Sequence, residues 1–114
     1  MASGHGYRLR LAELREATIR SVVNLERSFD GIVAAHRDVA TDDEHDPEGH
    51  TIASERQQIA ALRDMARVKL AAIDAAEHRL DVGRYGTCAV CSLEIARERL
   101  DALPATPTCD RCAS

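Results

Sequence analysis

The sequence predicts an all-α fold: a long antiparallel coiled-coil hairpin followed by a small module built on four cysteines and a short helix. Three observations predict it. Two stretches of more than 30 residues carry apolar side chains three and four apart, an acidic stretch bearing Pro and Gly separates them, and two Cys-x-x-Cys pairs lie near the end of the chain. Composition agrees. Ala is abundant, Leu, Arg and Glu are frequent, and the aromatics are Tyr7, Phe29 and Tyr85, so there is little material for a sheet core. At 114 residues a single hydrophobic core is thin, and something must staple it.

Residues 1–6 are expected to be a flexible N-terminus. The opening MASGHGYRLR has no apolar h-region, and no stretch approaches the roughly 18 apolar residues of a membrane span, so a cytoplasmic protein with no membrane partner is expected. From about Tyr7 to Ala40, Leu11, Leu14, Thr18, Val22, Leu25, Phe29, Ile32, His36 and Val39 recur at helical spacing. The steps through Leu14, Thr18 and Val22 drift from a strict heptad and predict a local stutter. Arg10/Glu13, Glu16/Arg20 and Arg27/Asp30 stand at pairing distance on the polar faces, each worth a few tenths of a kcal/mol. Gly31 weakens this helix by about 1 kcal/mol relative to Ala without breaking it.

A second helix follows from Ile52, with a near-heptad seam of Ile59, Leu62, Ala66, Lys69, Ile73, Ala76 and Leu80. Small alanines on that seam permit close approach of a partner. Asp46 suits a helix N-cap, Pro47 its first position, and Glu48 the positive end of the macrodipole. Two such helices, each apolar along one stripe, satisfy those stripes by folding back on one another. Residues 7–82 therefore form the hairpin, with arms roughly 50 Å long at about 1.5 Å per residue.

That fold puts residues 41–50 at the tip. The stretch ATDDEHDPEGHT holds five carboxylates, Asp42, Asp43, Glu44, Asp46 and Glu48, and nothing basic lies between Arg37 and Arg56. At the end of an arm such repulsion is relieved by hydration. A tip that served solubility alone would mix signs, so these five are the candidate partner-binding residues. A calcium loop is disfavoured, although Asp42, Glu44 and Asp46 alternate correctly. Pro47 stands where that loop needs Gly, and Ala53 where it needs a bidentate Glu.

Residues 83–114 form the cysteine module. Gly83 and Gly86 break helicity, Cys88 and Cys91 make the first pair, and Cys109 and Cys112 follow after seventeen intervening residues. Each two-residue gap lets one tight turn aim two thiolates at a single ion, and four sulfurs close a tetrahedron around zinc at about 2.3 Å each. A zinc-finger shell of four cysteines leaves no open coordination position, so the Zn2+ expected here is structural. Such binding contributes roughly 10 to 16 kcal/mol to folding, which supplies the missing staple. Disulfides are disfavoured in the cytosol, and a thioredoxin-like pair would need βαβ surroundings. Between the pairs, SLEIARERLDALP reads as a short helix ended by Pro104, with Leu93, Ile95 and Leu100 packing with Tyr85 over the metal.

These residues carry a resemblance. Gly83-x-Tyr85-Gly86-x-Cys88-x2-Cys91, Ile95, Arg99-Leu100-x-Ala102-x-Pro104 and Cys109-x2-Cys112 resemble the zinc-finger module of the DksA/TraR family of bacterial transcription regulators. The motif match spans about 30 residues, and over 7–82 the resemblance is one of architecture. It implies a protein that binds RNA polymerase, inserts its coiled coil into the secondary channel, and places acidic tip residues near the catalytic centre. It implies action at selected promoters, often with ppGpp bound to the polymerase complex, and no sequence-specific DNA binding by the regulator itself. Three departures stand out. Gly49 occupies the place of the family's second tip aspartate, so that Asp46 carries over cleanly and Glu48 substitutes only if the turn shifts. Ser92 replaces the Gly usual after the second cysteine. The sequence ends at Ser114, short of the C-terminal helix that longer relatives use to grip polymerase, so weaker binding or a different output is expected.

Other classes fit less well. A net charge of −4 argues against a general nucleic-acid binder, although Arg84, Arg97, Arg99 and Arg111 give the module local positive character. A zinc-stabilised interaction scaffold that does not act on polymerase remains the alternative. No catalytic residues are assigned: there is no Ser/His/Asp set and no open metal position, and His36, His45, His50 and His78 are scattered. His36 falls on the first apolar seam, while His45 and His50 flank the tip, where they can tune its charge at about pH 6 to 7.

Overall fold

The computed structural model describes residues 4–38 and 47–113, including their side chains except at 36–38 and 47–50. Its elements in order are α1 (Gly4–Asp38), α2 (Pro47–Asp81) and α3 (Arg97–Ala102). No strand occurs among the described residues, and Thr87 and Glu94 form an isolated antiparallel bridge. No described helix is long and apolar enough to cross a membrane. The fold is the expected one, two long helices packed together and followed by a cysteine module.

The helix ends follow from single residues. Helix α1 is already helical at Gly4, within the segment expected to be flexible. The ring of Tyr7 is buried, and ordering that ring orders the turn that carries it. Helix α2 opens on Pro47, whose fixed φ and missing N–H suit a first helical position; Asp46, its expected cap, lies outside the described residues. At the other end Gly83 takes φ 74°. There the Arg84 amide donates to the Arg79 carbonyl at 2.7 Å and the Gly83 amide to that of Leu80 at 3.3 Å. This double closure is a Schellman motif, in which the left-handed position favours glycine.

The chain divides into two compact units, of which the first comprises Met1–Ala17 and Val68–Ser114. Within it Leu11 and Ile73 are fully buried with Ala76, and Leu14, Leu70, Leu80, Tyr85 and Ala105 pack around them. Arg8 bonds Asp81 at 2.8 Å and Arg15 meets Asp74 and Glu77. Seven residues up α1 thus match seven residues down α2, which makes the pair antiparallel in a heptad step. These partly exposed ion pairs contribute at most about 1 kcal/mol each, so the apolar seam supplies the binding energy. A second cluster of Tyr7, Cys88, Ile95 and Leu100, flanked by Tyr85, Cys109 and Cys112, seats the cysteine module on the first turns of α1. The Tyr7 and Tyr85 rings pack with centroids 5.0 Å apart. The Tyr7 hydroxyl and the Arg10 guanidinium both donate to Asp101 Oδ1, at 3.0 and 3.1 Å. Arg10 is therefore spent on α3, not on the Glu13 expected to pair with it.

The second unit, Thr18–Arg67, consists of helix alone among its described residues. Ile59 and Thr18 are buried, Val22, Leu25, Phe29 and Val33 half-buried, and Glu26 pairs with Arg63 at 2.8 Å. The guanidinium of Arg56 lies 5.6 Å from the Phe29 ring centroid. With no third element among the described residues, much of each helix's described seam is open to water.

The expected seams are corrected at three places. Ile32 is exposed and Val33 takes its place on α1, while Lys69 is exposed and Leu70 takes its place on α2. Leu62 is also more exposed than a seam residue should be. The cause is one of phase. Leu11, Val22 and Val33 recur every eleven residues, with Thr18 buried within the predicted stutter, and an eleven-residue pattern of about 3.67 per turn follows a straighter helix than a heptad does. Leu70 also leaves the Lys69 ammonium in water, where its charge costs nothing to solvate.

Candidate metal centre

The four cysteines converge from two tight turns. After Gly86, whose φ of 87° is open to glycine and strained for other residues, the chain reverses. The Cys88 amide donates to the Leu93 carbonyl at 2.8 Å, the Ile95 amide to that of Gly86 at 2.7 Å, and the Ser92 amide to that of Cys88 at 3.0 Å. Ser92 completes the reversal at φ 64°. It does so in the left-handed region, where a side chain is penalised, and it stands at the position where the resembling family has glycine. The second turn is closed by the Cys112 and Ala113 amides, both donating to the Cys109 carbonyl, at 3.1 and 3.0 Å. The Ala89 amide donates to the Pro107 carbonyl at 2.8 Å and ties the two turns together.

The result is a compact set of sulfurs. The Sγ atoms of Cys88, Cys91, Cys109 and Cys112 all lie within 4.8 Å of one another, and those of Cys91 and Cys109 are 3.7 Å apart. None of the four is in a disulfide. A tetrahedron with bonds of about 2.3 Å has sulfur–sulfur edges of about 3.8 Å, so the set fits a tetrathiolate ion and is too open for a disulfide. Protons are held unequally across it. The backbone amides of Cys91 and then Cys109 pull the Cys88 thiol down to about 6. The Cys112 amide lowers Cys109, whereas hydrogen bonding to Cys109 and then burial push Cys112 up to about 12. Amides aimed at sulfur favour the thiolate that a metal requires.

Around the sulfurs, Ile95 and Leu100 are buried as expected. Leu93 is not, at 61% exposure. It follows the left-handed Ser92 directly, and its carbonyl is committed to Cys88, which leaves the side chain outside. Tyr85 is fixed by donating its hydroxyl to the Pro104 carbonyl at 2.7 Å, and burial raises its pKa to about 12. Of the arginines read as local positive charge, Arg84, Arg97 and Arg111 are exposed, while Arg99 is half-buried and paired with Asp110 at 3.0 Å. No local sequence pattern marks the contact of Tyr7 with Asp101, though Tyr7 does lie one turn ahead of Leu11 on the same stripe.

Asp42, Asp43, Glu44 and Asp46, with His45, lie outside the described residues. Glu48 falls in the first turn of α2, with its side chain outside the description, as are those of His36 and His50.

Two long helices packed together and followed by a four-cysteine cluster that could hold a metal ion define the class of protein. Within that class, the chain is similar in structure to transcription factor DksA2 from Pseudomonas aeruginosa, with a TM-score of 0.52 and 26% identity over 89% of this chain and 78% of that one. No protein-family model matches the sequence, and no curated protein matches it significantly.

Proposed function

We propose that this chain is a DksA-like transcription regulator that binds RNA polymerase and inserts its acidic segment into the secondary channel to modulate initiation. In this reading Cys88, Cys91, Cys109 and Cys112 hold one structural Zn2+, which fixes the module and supplies no reactive position. Asp42, Asp43, Glu44, Asp46 and Glu48 are the groups offered to the positive or metal-bearing surfaces of the channel, and ppGpp acts in the complex with polymerase. The protein is a cytoplasmic non-enzyme that needs no DNA contact of its own.

The observation that carries the reading is structural likeness to a transcription factor over 89% of the chain. The convergence of four sulfurs within 4.8 Å supports the zinc assignment. The test is direct. Purified protein should bind purified RNA polymerase and change open-complex lifetime at sensitive promoters, and Asp46→Asn with Glu48→Gln should abolish the second effect while sparing the first. Absence of binding, or a double variant as active as wild type, overturns the proposal.

A further inference from the structure

The loop that delivers the second cysteine pair has no regular secondary structure, yet it is gripped from two sides. From α3, Arg99 donates through Nε to the Thr108 carbonyl at 2.9 Å, through Nη1 to Asp110 Oδ1 at 3.0 Å, and through Nη2 to Thr106 Oγ1 at 3.3 Å. Its side chain is 18% exposed. From α2, Arg79 Nη2 lies 3.5 Å from the Ala105 carbonyl oxygen and 3.3 Å from that of Thr106. Thr106 Oγ1 in turn donates to the Thr108 carbonyl at 3.1 Å. Every one of these bonds ends on residues 105–110, the stretch that leads into Cys109 and the turn to Cys112.

We propose that Arg99 and Arg79 are positioning residues for the metal centre, strapping the 105–110 loop so that Cys109 and Cys112 meet the ion as a preformed pair. Neither arginine touches a sulfur. Their effect runs through conformational entropy: a loop already held costs little to order when its thiolates bind, whereas a free loop must be fixed at that moment, at roughly 1–2 kcal/mol per residue. Arginine suits the task because its planar fork reaches several oxygens at once in fixed geometry, which the single ammonium of lysine cannot do. The strap also gives α2 a hold on the second cysteine pair through Arg79, so metal retention depends on the helix pair as well as on the ligands. The inference rests on the zinc reading but not on the polymerase reading.

The test uses the full chain. Zinc affinity and release are measured by competition with a chromophoric chelator for wild type, Arg99→Gln, Arg99→Lys, Arg79→Gln and Arg10→Gln. Helical content is followed in parallel, and the Co2+ absorption spectrum is recorded at saturating metal. Arg99→Gln should weaken zinc about 10- to 100-fold, the range for loss of a ligand-orienting partner. The tetrathiolate Co2+ spectrum and the helical signal should be unchanged, and lysine should restore part of the loss. Arg79→Gln should act in the same direction. Arg10→Gln removes a contact between α1 and α3 but none to the loop, and should bind zinc as wild type does. An Arg99→Gln affinity within about threefold of wild type overturns the inference. So does an equal loss in Arg10→Gln, or a loss that appears only with collapse of the helical signal. If wild type itself takes up no zinc, the zinc reading fails first and the strap fails with it.

Discussion

Replacing Ser92 by glycine should tighten the metal site, although it removes atoms and adds no contact. Ser92 holds φ 64°, and the left-handed conformation costs a residue with a side chain roughly 1–2 kcal/mol. Glycine escapes that penalty but brings more freedom to the unfolded chain, which returns about 0.5–1 kcal/mol. The difference is a net gain of about 0.5–1 kcal/mol. The Ser92 amide is committed to the Cys88 carbonyl at 3.0 Å, so the strain belongs to the folded cysteine turn and to no other state. Because binding of a structural ion and folding of its turn are one equilibrium, the gain should appear as a two- to fivefold higher zinc affinity. Competition titration against a chelator at fixed pH measures it. Ser92→Ala supplies the control, since it removes the hydroxyl and keeps the strain, and should bind no tighter than wild type. The reasoning is refuted if Ser92→Gly binds zinc no better than wild type, or if Ser92→Ala gains as much.

Three further outcomes are expected. Leu11→Ala empties a fully buried site between α1 and α2 and should cost about 2.7–5 kcal/mol in urea unfolding of the zinc-loaded protein; a loss under about 1 kcal/mol would mean that the seam collapses around the gap. Burial, and then nearby acidic and phenolic groups, raise the pKa values of Tyr85 and Tyr7, that of Tyr85 to about 12. A raised folded-state pKa gives stability that is present in full below the unfolded value of about 10 and is lost as pH rises towards 12. Tyrosinate absorbance in folded protein should accordingly lag behind that in urea, and coincident titrations would contradict the packing. In hydrogen exchange, amides of Thr18–Arg67 should open at lower free energy than those around Leu11 and Ile73, because few of that unit's described side chains are buried.

What the sequence disclosed is what repeats or what is local. Period-3.6 stripes announce helices because they recur many times, and the Cys-x-x-Cys gaps and Gly83 announce their turns because each turn is made within a few residues. Phase is harder. Lys69 and Leu70 differ by one residue on α2, and a heptad template chooses the lysine where the eleven-residue spacing chooses the leucine. Leu93 looked like core by residue type, but the backbone of a reversal decides where its side chain goes. Contacts across the chain leave no local mark at all. Tyr7 meets Asp101 across 94 residues, and Arg99, read as a loose positive charge, is bound to a loop whose path only the fold reveals.

Charge is distributed in a way that neither helix pattern nor motif requires. Thr18–Arg67 contains six arginines against ten carboxylates, whereas Met1–Ala17 with Val68–Ser114 contains nine basic against nine acidic side chains. The whole net charge of −4 therefore belongs to the first of these. Helix packing does not call for this, since the ion pairs of each unit are satisfied locally, Glu26 with Arg63 in one and Arg8 with Asp81 in the other. An excess of one sign on one unit generates a field that attracts an oppositely charged surface and is screened within about 10 Å at 0.1 M salt. For the proposed polymerase contact this predicts an association rate that falls steeply with ionic strength while the dissociation rate changes little. Stopped-flow binding across a salt series measures both. Replacing Asp42, Asp43 and Glu44 by Asn, Asn and Gln should flatten the salt dependence, and a triple variant with the wild-type slope would show that these carboxylates do not steer the encounter.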